Sequence, residues 1–181
     1  AGKMKTAVST TLINFLIISM LLGTVGLIGN DWILRLLKVP ENVFRDAAAY
    51  LRIYFLGIVF LFTYNMGSSV LRAVGDTKRP LYFLITSSLL NIALDLLFVV
   101  VFHWGIAGVA AATVLSQAVS AILVCAALMR AEEAYKLRVK RICMDTALCR
   151  RILLLGLPIG VQQSLTAFSN AFVQSYINAF G

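Results

Sequence analysis

Asp95 is the one acidic residue in a stretch, 80–129, that contains no lysine or arginine. An ionisable group inside so apolar a segment is expensive to keep, and it marks a functional site by default. Asn91 lies four residues earlier, so on a helix the amide and the carboxylate share a face about one turn apart. Thr113 and Gln117 repeat that spacing further on, beyond a His103-Trp104-Gly105 turn. With Trp104 as the pivot, Asp95 and Thr113 stand nine residues to either side, and Asn91 and Gln117 thirteen. Two antiparallel helices would then hold each pair at one depth, roughly 13 Å and 20 Å from the turn at about 1.5 Å per residue. The pattern defines two polar rungs, provided the helices are rotated to face each other.

A carboxylate, an amide carbonyl and a hydroxyl are hard oxygen ligands of the kind small hard cations take. A desolvated carboxylate takes up a proton more readily than a solvated one, whereas a bound Na⁺ holds it ionised. These residues do not choose between the two ions. The competing reading is an Asp95 that only hydrogen-bonds across helices, a task that a neutral Ser or Asn would perform at lower cost.

The elements that must position these groups are set by composition. Of 181 residues, 60% are hydrophobic and 13% charged, against about a quarter charged in ordinary soluble domains. Mean hydropathy is +0.89. Charge-poor windows meet the length of about 20 apolar residues that a bilayer crossing requires. Spans are expected at about 6–29, 47–71, 81–102 and 106–129, then a basic connector over 131–151 and a further helix from 152 to 181. Only helices or closed barrels satisfy the backbone in lipid, so the fold class is all-α, a polytopic transmembrane helical bundle. The missing initiator Met and the apolar end at Gly181 are expected of a piece of a longer protein whose remaining helices lie elsewhere.

With a cytoplasmic N-terminus, Lys3, Lys5, Arg72, Lys78, Arg79 and the basic residues from Arg130 to Arg151 lie inside. Only Arg35, Lys38, Arg45 and Arg52 lie outside, as the positive-inside rule requires. Trp32 and Trp104 then both fall at the outer interface, and Arg52 is expected to snorkel to the headgroups. The net charge of +8 is thereby explained without nucleic acid, for which the chain has no basic run interleaved with aromatics. Cys125, Cys143 and Cys149 show neither metal spacing nor a disulfide framework and read as reduced structural thiols. No phosphate-binding glycine loop supports ATP-driven pumping. No nucleophile–base or metal cluster supports an enzyme, and no cofactor beyond a coupling ion is called for.

Other polar residues carry two readings each. Tyr64 and Asn65, with Ser68 and Ser69, either line a substrate cavity or make ordinary interhelical hydrogen bonds. Gln162 and Gln163, with Asn170, either face a central cavity or await partners outside the chain. Asp76, Lys78 and Arg79 read as a capped turn before Pro80, with a cytoplasmic gate latch as the alternative. Gly23, Gly26 and Gly29, and the pair Gly108 and Ala112, read as close helix packing.

In order along the chain, Tyr50-Leu-Arg-Ile-Tyr-Phe-Leu-Gly57, Leu71-Arg-Ala-Val-Gly-Asp-Thr-Lys78 and Ser88-Leu-Leu-Asn-Ile-Ala-Leu-Asp95 resemble the multidrug and toxic compound extrusion (MATE) family. Gly105-Ile-Ala-Gly-Val-Ala-Ala-Ala-Thr113 and Gly156-Leu-Pro-Ile-Gly160 continue the likeness. The resemblance implies a share of a two-lobe, twelve-helix transporter. Residues 1–130 would be helices three to six of the N-terminal lobe, and 152–181 would open the C-terminal lobe. It also implies a cation site at Asp95, Asn91 and Thr113, which in the family is completed by an acid on a first helix. The helix from 152 has no acidic residue, and this points to the branch that works through its N-lobe.

The expected function is secondary active efflux in the plasma membrane: H⁺ or Na⁺ enters as a drug-like, often cationic compound leaves. The alternative is a flippase for lipid-linked saccharides of the same superfamily. That alternative wants basic residues deep in the spans, and this chain has none there.

Overall fold

The computed structural model describes residues 2–37, 39–131 and 146–180. Within them the chain is helical: α1 (Gly2–Leu36), α2 (Glu41–Ala73), α3 (Lys78–Asp95) running directly into a π-helical segment (Leu96–Val101), α4 (Gly105–Met129) and α5 (Thr146–Phe180). Residues 1–143 and 144–181 form two compact units. Most of the expected connector, including Cys143, lies outside the described residues.

In the first unit the helices are long because a peptide group in lipid has no water to turn to. They therefore run past the apolar windows into the interface on both sides. Among the described residues, four helices are long and apolar enough to cross a membrane: Thr6–Leu36, Glu41–Ala73, Lys78–Val101 and Gly105–Met129. The helix expected from 152 is present as part of the 35-residue α5.

Local chemistry sets the breaks. Pro40 stands immediately before α2, where it cannot extend α1. The end of α2 is a Schellman motif: Gly75 takes φ +89, Asp76 N–H donates to Leu71 C=O at 2.9 Å, and Gly75 N–H to Arg72 C=O at 3.0 Å. Asp76 then caps α3, its carboxylate accepting from Arg79 N–H at 3.1 Å and pairing with the Arg79 guanidinium at 3.1 Å. The capping reading of this turn is met by Asp76; Thr77 makes no cap bond. After the π segment, His103 at φ 55 and Gly105 at φ 57 reverse the chain. Phe98, Phe102 and Trp104 stack there with ring centroids 5.0–6.0 Å apart.

Packing follows side-chain size. α2 lies between α1 and α4, and α3 packs mainly on α4. Gly57 admits Val114, and ten residues on Gly67 admits Val124, so α2 and α4 run parallel in one register. On the other face of α2, the Phe55 ring sits over Gly26 and Ile58 over Gly23. The interior holds Val8, Leu12, Met66, Leu71, Val124 and Leu128, with the small residues Ala110, Ala112 and Ser120. Large aliphatics point outward instead, among them Leu21, Val25, Ile28, Leu89, Ile92 and Ile122. Glycines and other small residues at the helix contacts, with large aliphatics also turned outward, are the pattern of helices solvated by lipid.

Candidate cation site

Asp95 is the last α-helical residue before the π segment. Such segments are rare and concentrate at functional sites. The Asp95 carboxylate is half-buried, and its Oδ1 is fully shielded with no hydrogen-bond partner. One turn earlier, the shielded Asn91 Nδ2 is also without a partner. An unmade bond on a buried polar group costs about 1–3 kcal/mol, so two such atoms a turn apart are a place that gains by taking a ligand. A half-turn of the Asn91 amide would present its oxygen there, since the two amide ends are interchangeable in shape.

The turn fixes the depth of α4 against α3. Gly108 backs onto Phe98, where an added Cβ would stand 3.0 Å from the Phe98 Cβ. Counting inward at about 1.5 Å per residue, Asp95 lies roughly 4.5 Å and Thr113 roughly 7.5 Å beyond that contact. Asn91 and Gln117 follow one turn deeper on each helix. The two rungs are thus matched in depth to about half a turn. The Thr113 hydroxyl donates to Val109 C=O at 2.9 Å within its own helix, which leaves its oxygen lone pairs able to accept or ligate. Gln117 is half-buried and shares a helical stripe with Val114 and Val124, the residues that meet α2. Among the described residues no hydrogen bond joins Asp95, Asn91, Thr113 and Gln117 to one another.

The Tyr64 hydroxyl donates to Pro80 C=O at 3.0 Å, tying α2 to the start of α3. Asn65, exposed, donates through Nδ2 to Leu61 C=O at 2.9 Å in its own helix. Tyr64→Phe is therefore expected to lower stability by about 1 kcal/mol and to leave transport unchanged. Thermal unfolding in detergent beside a transport assay checks this, and lost transport at full stability would return Tyr64 to a cavity role. Gln162 and Gln163 are exposed on α5. Groups of three or more His, Cys, Asp or Glu able to hold a metal are absent among the described residues.

Two contacts escaped sequence reasoning. Arg52, expected only to snorkel, pairs with Asp31 at 3.1 Å. Buried Asn30 donates to Ala48 C=O at 3.1 Å. Both depend on the α1–α2 register, which no local motif encodes.

A bundle of long apolar helices that turns large aliphatic side chains outward defines a polytopic membrane protein. Residues 1–97 match the MatE family, and the chain belongs to that family. It is 38% identical over 161 residues to the probable multidrug resistance protein YpnP of Bacillus subtilis, covering 88% of this chain and 35% of that protein. To the probable multidrug resistance protein YoeA of the same organism it is 34% identical, covering 99% of this chain and 40% of that one. Among solved structures, an outward-facing multidrug resistance MATE transporter of the MOP superfamily aligns with TM-score 0.81 and 25% identity. That alignment covers 92% of this chain and 38% of that one. The chain thus spans well under half the length of these relatives.

Proposed function

We propose that this chain supplies the cation-coupling part of a secondary multidrug exporter, in which H⁺ or Na⁺ moves inward through Asp95 as a drug-like cation moves out. The shielded, unpartnered Oδ1 of Asp95 inside an apolar helix carries this reading. The names of the relatives supply the substrate class, a xenobiotic rather than a nutrient. Asn91 and Thr113 add an amide and a hydroxyl oxygen at neighbouring depth, with Gln117 a turn further in. Coupling requires that ion and substrate favour different conformations. Filling an otherwise unsatisfied buried site is one way for an ion to select the conformation that holds it.

The test is efflux of a fluorescent cationic dye from vesicles containing the intact protein, under an imposed H⁺ or Na⁺ gradient. Export that stops when one gradient is collapsed establishes antiport and names the ion. Dye movement indifferent to both gradients would sink the proposal.

A further inference from the structure

At the turn of the α1–α2 hairpin, Arg35, Val39, Glu41, Phe44 and Arg45 line a cavity of about 460 Å³. That size lies within the range of small-molecule sites, about 300–1,000 Å³. The hairpin register brings the two arginines to one level. Gly26 meets Phe55 and Asn30 meets Ala48, and the same ladder carried outward sets Arg35 against Arg45. Further inward, Arg52 is already neutralised by Asp31. Arg35 and Arg45 are not so matched: among the described residues neither forms an ion pair, although the Glu41 carboxylate lines the same cavity. The cavity therefore carries an excess of positive charge that a bound anion would relieve.

Its surroundings narrow the anion. Val39 and Phe44 give the cavity an apolar wall. Trp32, Leu36 and Leu37 are exposed on the adjoining end of α1, and a tryptophan with flanking arginines at the end of a span marks headgroup depth. A guanidinium presents a planar fork that fits two phosphate oxygens at once, and at headgroup depth the phosphates within reach are those of lipids.

We infer that this cavity binds the phosphate diester of an anionic phospholipid, held by Arg35 and Arg45, with the acyl chains lying along the exposed apolar face of α1. The inference goes beyond the transport reading and does not depend on it. Native mass spectrometry of the detergent-solubilised protein tests it, with phosphatidylglycerol, phosphatidylcholine and inorganic phosphate titrated separately and in competition. Wild type is expected to retain phosphatidylglycerol in preference to phosphatidylcholine. Arg35→Gln with Arg45→Gln should weaken that retention about 30-fold, roughly fivefold for each guanidinium lost. Arg72→Gln, at the opposite end of α2, should leave it unchanged. Both cavity arginines are exposed, so the double variant should unfold at the wild-type temperature. Equal retention by wild type and double variant would overturn the inference, as would equal affinity for the two lipids. Displacement of the lipid by millimolar inorganic phosphate would assign the arginines to free phosphate and overturn the lipid.

Discussion

Asp95→Asn is expected to abolish gradient-driven export while leaving abundance and unfolding temperature near wild type. The substitution keeps the shape of the side chain and removes the only carboxylate in α3. A neutral amide cannot exchange a proton, and it offers a small cation a dipole where the carboxylate offered a charge. Its effect on folding should be slight, because the buried Oδ1 makes no bond that the amide would break. If Asp95 were instead a structural group, the loss would show as lower stability, with residual export scaling to the amount of folded protein. Asn91→Ala should reduce export less, since it deletes one neutral ligand from a site that keeps its charge. Comparing transport rate with folded protein, variant by variant, separates the two cases.

Gly67→Ala should produce a large effect on the fold. A Cβ at that position would stand 2.6 Å from one Val124 methyl and 2.8 Å from the other, and Val124 is fully buried at the α2–α4 contact. Neither helix can yield locally, because the same register seats Val114 against Gly57 ten residues away. Overpacking of this kind costs about 1–3 kcal/mol, and helices in lipid rely on close packing for their association. Val124→Ala removes the methyls that clash, so the double variant should recover much of the stability lost by Gly67→Ala. Thermal unfolding of the single and double variants in detergent measures this. Additive losses would show that the two side chains do not compete for one space.

The sequence made the spans legible because lipid imposes a simple rule: charged residues stop where the hydrocarbon begins. The turns at Gly75-Asp76 and His103-Trp104-Gly105 were legible for a related reason, since both need backbone angles or caps that few residues supply. Helix ends were less so. α1 and α2 extend several residues past their apolar windows, because hydrogen bonding rather than hydropathy decides where a helix stops. The π segment after Asp95 was invisible, as Leu96-Leu-Phe-Val-Val-Val reads like any apolar helix. The placing of α4 between α2 and α3 was equally hidden, since helix rotation depends on which small residue receives which large one. For the proposed site, Asp95 and Asn91 are singled out by polarity at helical spacing, and the depth of Thr113 follows from the turn. The face on which Gln117 lies follows from Val114 and Val124 meeting α2, a contact that spacing alone does not determine. Arg52 looked like a lone snorkelling cation because its partner, Asp31, stands on another helix.

The most direct measurement is release of the coupling cation when substrate binds. The intact protein, solubilised in weakly buffered detergent solution, is titrated with a cationic substrate while a pH indicator follows protons; a parallel experiment follows bound radioactive Na⁺. Exchange through Asp95 predicts release of about one proton or one Na⁺ per wild-type molecule, since one carboxylate holds one such charge, and none from Asp95→Asn. Undiminished release from the Asp95→Asn protein would contradict it and place the coupling ion elsewhere.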